Sequence, residues 1–379
     1  MTAYLGSRHW KPATLRDLVS LQRGFDITKA QQKEGEIPVF SSSGLSSWHN
    51  EAKVEGPGII IGRKGTLGSV HYSDGDYWPH DTTLWSKSLN GNNPRFVYFA
   101  LKCLGLERFN VGGANPTLNR NHIHGLPIHL PGRNMQDSIV SILSAYDDLI
   151  ETNRRRIALL EEAARLLYRE WFVHFRFPGH EHVPLTDGLP EGWERRKLGD
   201  VVDVVKDTVK PTAFAEEDIH IGLEHIPRRS FTLADWEPAA DLASGKTRFA
   251  EGDILFCKIR PYFHKVGFTL RSGLASSDAI VWRVKDSDDW PLVVCATSSD
   301  HFVAVASKTV REGSKMPRAD VKVLQAYTIP KPPAGLLSVF NETVRPITEQ
   351  CKTLALQSRS LAQARDLLLP RLMNGEIAV

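Results

Sequence analysis

The stretch "LIETNRRRIALLEEAARLLYREWFVHF", residues 149–175, decides the architecture, because its apolar residues hold one spacing for many turns. From about 135 to 174, Leu143, Ile150, Ile157, Ala164 and Trp171 recur every seven residues, and Tyr146, Asn153, Leu160 and Leu167 fill the positions three residues on. That pattern is a coiled-coil seam about five heptads long. Asn153 on the seam is either a register-setting polar group or a solvent-facing residue at the edge of a ragged stripe. The same seven-residue step returns at Phe340, Ile347, Leu354, Leu361 and Leu368, with Val344 and Cys351 beside them. Pro346 would lose a helical hydrogen bond and clash with the preceding turn, so the second helix is expected to start or kink there. Pro370 and Gly375 are expected to mark its end.

Working outward, each helix is preceded by a similar block. "WKPATLRDLV" from Trp10 and "WERRKLGDVV" from Trp193 share Trp, Leu (15 and 198), Asp (17 and 200) and Val (19 and 202) at one constant offset. Each half then reaches an apolar run closed by a basic pair, "EGPGIIIGRKGTLGSV" (55–70) and "EGDILFCKIRPYFHKV" (251–266). Each ends in a polar stretch and a proline, "GGANPTLNRNHIHGLPIHLP" to Pro131 and "GSKMPRADVKVLQAYTIP" to Pro330. Between the halves, "RFPGHEHVPLTDGLPEGW" (176–193) carries three prolines, three glycines and no periodicity, which is linker chemistry. Short β-rich runs such as "GIIIG", "DILFCKI" and "AIVWRV" alternate with helical stretches such as "PRFVYFALKCL". The expected class is α+β, with mixed domains at 1–134 and 193–334, long helices at 135–175 and 335–379, and a linker at 176–192.

At 379 residues, 41% apolar and 24% charged, the chain has the composition of a soluble multidomain protein. No apolar run is long enough to span a membrane and the start of the chain is polar, so a cytoplasmic protein is expected. Cys103, Cys257, Cys295 and Cys351 are scattered without metal-ligand spacing, which implies reduced structural thiols and no zinc. A net charge of +3 leaves nucleic-acid binding to local placement of cations.

No Asn/Asp-Pro-Pro-aromatic motif for amine methylation is present, and "GRKGTLG" fails the spacing of a phosphate-binding loop. His122, His124, His129, His174, His180 and His182 are expected to be exposed loop and strand residues and not metal ligands. Asp147-Asp148 and Glu161-Glu162 are expected on the solvated face of the first helix. Trp171 and Phe172 are expected to pack core. The run Arg154–Arg156 reads first as a solvated helix face.

Taken together, the order of mixed domain, long helix, linker, mixed domain and long helix resembles the specificity subunit of a type I restriction-modification system. The resemblance is carried by "PVFSSSG" (38–44), "GIIIGRKGTLG" (58–68), "NPTLN" (115–119), residues 149–175, "LPEGWERRKLGDVV" (189–202), "IGLEHI" (221–226), "GDILFCKIRP" (252–261) and "LLLPRLMNGEI" (367–377). It implies two α/β target-recognition domains, separated and joined by two antiparallel coiled-coil helices in a pseudo-two-fold repeat. Such a chain is non-catalytic and reads an asymmetric bipartite sequence in double-stranded DNA. Its partners would be two methyltransferase subunits and motor-nuclease subunits, with S-adenosylmethionine, ATP and Mg2+ belonging to those partners.

On this reading Arg63, Lys64 and Thr66, flanked by glycines, grip phosphates or, for Arg63, fork onto a guanine edge. Lys258 and Arg260 do the same in the second half. Further candidates are Ser41, Ser42, Ser43 and Gly44, then Asn115, Thr117 and Asn119, and in the second half Ser276, Ser277, Lys315 and Arg318. The rival readings are a self-contained DNA modification or cleavage enzyme and a scaffold that binds only protein.

Overall fold

A computed structural model describes residues 7, 9–109, 117–240, 242–309, 316–377 and 379. Contacts divide the chain into one unit of residues 1–149 with 361–379 and another of residues 150–360.

In the first unit, Thr14 donates its backbone N–H and its hydroxyl to one Asp17 oxygen at 2.7 and 2.8 Å. This cap starts the helical turn Leu15–Leu18, whose two leucines are fully buried, and it explains why Leu and Asp recur in both halves. The flanking strand Lys11–Thr14 pairs antiparallel with Pro127–Leu130. The main sheet has the order Ser20–Arg23, Thr83–Ser88, Gly58–Gly62, Val70–Ser73. Gly58–Gly62 is buried at every position, so its apolar run belongs to a strand covered on both faces. A smaller sheet pairs Ile37–Ser41 with Gly44–His49 and, in parallel, with Trp78–Pro79. Asn93 caps the helix Pro94–Cys103, accepting from Arg95 N and Phe96 N at 2.9 and 3.2 Å.

The second unit repeats this plan. Glu194–Lys197 pairs with Thr328–Lys331, and the turn Leu198–Val201 follows. The main sheet runs Val202–Val204, Ala279–Val284, Ile254–Cys257, Val266–Thr269, Thr232–Leu233, so its first four members match the first unit in order. A second sheet carries Ile219–Ile221 beside Glu237–Pro238 and, in parallel, beside Gly273–Ala275. The α+β class with an internal repeat therefore holds.

The long helices are Arg133–Tyr168 and Ala334–Met373, the first closing in a wider π-helical turn at Arg169–Val173. Within the first unit, Leu369, Leu372 and Met373 join Ile139 and Leu143 in one core, and Arg365 bonds Asp147 at 2.5 Å. Within the second unit, Phe340 packs on Trp171 and Phe172 at 5.8 and 4.8 Å between ring centroids. In each unit the paired segments run antiparallel, and the core is closed by the C-terminal end of the helix that starts in the other unit. Trp171 and Phe172 are core residues, and Asn153 is buried on the seam.

Three expectations change. The second helix does not start at Pro346 and does not end at Pro370, since it runs from Ala334 to Met373. Both prolines are exposed, and so are Glu342 and Asp366, so the carbonyls that lose a helical partner lie on the open side of the helix. Gly375, at φ +67°, does end the segment. Glu161 is not on a solvated face: it is 2% exposed and accepts from Ser230 Oγ (2.9 Å), Phe231 N (3.1 Å) and Thr232 N (2.9 Å). Asp147 is held by Arg365. Nor is His124 a plain exposed side chain, because its Nε2 accepts the Leu21 N–H at 3.0 Å.

Arg154–Arg156 is exposed, with Arg154 and Arg155 paired to Glu151 at 3.1 and 2.8 Å, as a solvated face would be. The linker is partly structured, with a small hairpin pairing Leu185–Thr186 with Leu189–Pro190. Phe177 and Trp193 are buried against each other there, 5.2 Å between centroids, which is packing that a composition rich in Pro and Gly conceals. All four cysteines are free, and burial pushes Cys103, Cys295 and Cys351 up to about 12.

Candidate nucleic-acid interface

In the first half, Ser41 and Gly44 close a hairpin whose tip is Ser42-Ser43, with the Ser41 and Ser43 hydroxyls 3.0 Å apart. Gly44 is buried at φ +103°, a conformation that a side chain would strain. The tip leans on the basic turn: the Ser42 carbonyl accepts from Ser69 Oγ, and the space a Gly65 side chain would fill lies 3.2 Å from Ser42 Oγ. Lys64, Gly65 and Thr66 are exposed, while Arg63 is half-buried. Both Arg63 N and Lys64 N donate to the Thr82 carbonyl, at 2.8 and 3.1 Å. On the other side Lys64 bridges to Thr117, and Leu118 N donates to Arg63 O at 2.9 Å. The fold thus gathers Ser41–Gly44, Arg63, Lys64, Thr66 and Thr117 into one surface.

The electrostatics fit an anion. Arg63 Nη1 is buried without a hydrogen-bond partner, and burial together with the nearby Arg23 charge lowers the guanidinium's proton affinity. Beside it a shallow depression is lined by Arg23, Lys53 and Arg120 as well as Asp81, which pairs with Arg23 at 2.8 Å. Sequence reasoning missed these cations, which come from a strand end, a loop and a short helical turn.

The second half gathers Lys258, Arg260, Ser276, Ser277 and Arg318. Lys258 N donates to Asp278 O at 3.0 Å and Ala319 N donates to Lys258 O at 2.8 Å, while Ile259 bridges to Arg318. These bonds match those of Arg63, so Lys258 stands where Arg63 does, and Ile259 where Lys64 does. Asp278 is the resident counter-charge, 3.2 Å from Arg318 Nη2 and 3.7 Å from Lys258 Nζ. Arg260 is exposed at φ +47°, its guanidinium carbon 5.9 Å from the Phe263 ring, and Arg228 covers the same ring at 4.0 Å. Tyr262 and Met316, beside the second turn, are large side chains at least half exposed.

One candidate is displaced from its expected role. Asn119 caps the turn Arg120–Ile123, its Oδ1 accepting from Asn121 N at 3.0 Å, and Asp320 does the same for Lys322 N at 2.8 Å in the second half. A side-chain oxygen committed to a helix start is not free for an adenine edge. Asn115 and Lys315 lie outside the described residues. Among the described residues, no helix is long and apolar enough to cross a membrane.

Two sheets built alike, each presenting a cationic turn and each followed by a long helix, make an internal duplication whose turns carry different side chains. Residues 7–162 match the family model described as the type I restriction modification DNA specificity domain. The type I restriction enzyme MjaIX specificity subunit of Methanocaldococcus jannaschii is 25% identical over 75% of this chain and 69% of its own length. The EcoDI specificity subunit of Escherichia coli is 20% identical, covering 97% and 88%. The crystal structure of the S subunit of the type I restriction-modification system from M. genitalium superposes with a TM-score of 0.60 at 15% identity, over 96% of both chains. Residues 7–162 thus carry the DNA specificity domain of type I restriction-modification systems, and along most of its length the chain is similar to their specificity subunits.

Proposed function

We propose that this subunit reads an asymmetric, bipartite target in double-stranded DNA, one part with each half, and has no catalytic chemistry of its own. The observation that supports this most is the matched pair of turns: one backbone frame carries Arg63, Thr82 and Thr117 in the first half and Lys258, Asp278 and Arg318 in the second. Identical frames with different tips bind the same polymer and prefer different bases. Asp81 and Asp278 hold the cations in place until phosphate or base replaces them, which limits the ordering cost of binding.

Methyltransferase subunits are the proposed protein partners, with the motor-nuclease subunits joining them, and S-adenosylmethionine, ATP and Mg2+ belong to those proteins. Exposed apolar side chains on the first helix support docking: Leu159 and Leu166, seven residues apart on the side away from the seam, are 72% and 40% exposed.

The test is co-expression with a cognate methyltransferase and mapping of methylated adenine across the host genome. One two-part motif with a fixed spacer is expected, with Arg63→Ala relaxing one part and Arg318→Ala the other. Methylation at unrelated sites, or a motif indifferent to both substitutions, would overturn the reading.

A further inference from the structure

We propose that His220, His225 and Glu237 form a site for one divalent transition-metal ion, with zinc the best chemical match. Each side chain offers a ligand atom, and the three atoms lie within 4.8 Å of one another. The inference goes beyond DNA reading and does not depend on it.

The geometry comes from strand register. His220 lies on Ile219–Ile221 directly across the antiparallel pair from Glu237, which puts imidazole and carboxylate on one face, with Nδ1 2.8 Å from Oε1. His225 closes the turn that follows; its Nδ1 accepts the Gly222 N–H at 3.0 Å, and its ring stands edge-on to that of His220, 6.2 Å between centroids.

Two further observations separate this cluster from an ordinary ion pair. His220 is only 5% exposed and its Nε2 is buried without a hydrogen-bond partner, a desolvation cost that one partly exposed carboxylate does not offset. The matching place in the first half, on the strand in parallel contact with Trp78–Pro79, holds Val39 opposite Ser47, and Val39 is fully buried. The frame therefore closes well with an apolar residue, and the second half has an imidazole there instead. Two imidazoles and one carboxylate, with His225 and Glu237 partly open to solvent, give a three-ligand set with a fourth position for water, which suits zinc. Sequence spacing concealed the set, because 220, 225 and 237 meet only through strand pairing.

An ion here would brace the turn after His220, which is anchored by Lys265 to the Leu223 carbonyl and by Ser276 N to Ile221 O at 3.2 Å. The effect on DNA contact would then be confined to the second half.

The test uses the full chain, stripped with chelator and titrated calorimetrically with zinc, and separately with Co2+ to read its visible absorption. One equivalent is expected, weakened about tenfold or more by His225→Ala and by Glu237→Gln, both at partly exposed positions that leave the core intact. His80→Ala, in the separate Asp26–His80–Asp81 cluster, should leave the affinity unchanged. Absence of saturable binding, or binding indifferent to His225→Ala and Glu237→Gln, would overturn the proposal.

Discussion

In the first half Leu118 N donates to Arg63 O at 2.9 Å, and in the second Ala319 N donates to Lys258 O at 2.8 Å. Thr83 N reaches back to His80 O, and Ala279 N to Ser276 O, both at 2.9 Å. Asn119 and Asp320 cap the short helices that follow. At each of these points the backbone connection is kept and the side chain is changed. A sheet frame held by main-chain bonds and buried apolar strands does not depend on what its loop tips carry, so each half is free to present its own cations, hydroxyls and acids.

The largest expected effect separates frame from tip. Phe340→Ala should cost about 4 kcal/mol in the second unit, because two aromatic rings lose their common neighbour, and Leu372→Ala about 3 kcal/mol in the first. Denaturant unfolding followed in both variants checks this, and equal small losses would mean that the helix ends are not part of either core. Glu161→Ala removes the acceptor for Ser230 Oγ, Phe231 N and Thr232 N, and should cost about 3 kcal/mol by leaving those donors unpaired. The same substitution at Glu162, which is exposed, should change the unfolding midpoint little.

Next in size are the tips. Arg63→Ala should lose about 1–3 kcal/mol of discrimination at one position of the target, whereas Lys258→Ala should weaken binding more evenly and lower the salt slope by about one. Competition binding with mutated half-sites at two salt concentrations distinguishes them; interchangeable behaviour would show that matched placement alone sets the contact. Asn119→Ala and Asp320→Ala should each cost about 1 kcal/mol of stability and leave the methylated motif unchanged. A changed motif in Asn119→Ala would restore that residue to the base-reading set.

Acid should touch both halves. Burial lowers the proton affinity of His71 and His124 in the first half and of His264 in the second. The unfolded chain therefore binds protons that the folded chain refuses, so their contribution is intact above the ordinary histidine pKa of about 6.5 and is lost as pH falls toward the lowered values. Unfolding midpoints between neutral and about pH 5 should fall, and less so in His264→Gln if the second half carries its share.

By itself the sequence determined the parts whose signal is local and periodic. The seven-residue steps through Leu143 and Phe340 mark the helices, the unbroken "GIIIG" and "ILFC" mark central strands, and the Leu-Asp recurrence after Trp10 and Trp193 marks the paired starts. It also brought forward Arg63 and Lys258, because a basic pair closes the apolar run in both halves. Tertiary structure alone decided what each candidate faces. Asp278 neutralising Arg318, Asn119 spent on a cap, Glu161 buried under Phe231, Pro346 tolerated on a wet helix face, and His220 brought beside His225 and Glu237 all follow from strand register and helix packing. Those contacts join residues far apart in the chain, and their energy depends on burial and on hydrogen-bond partners, neither of which has a period that a sequence can display.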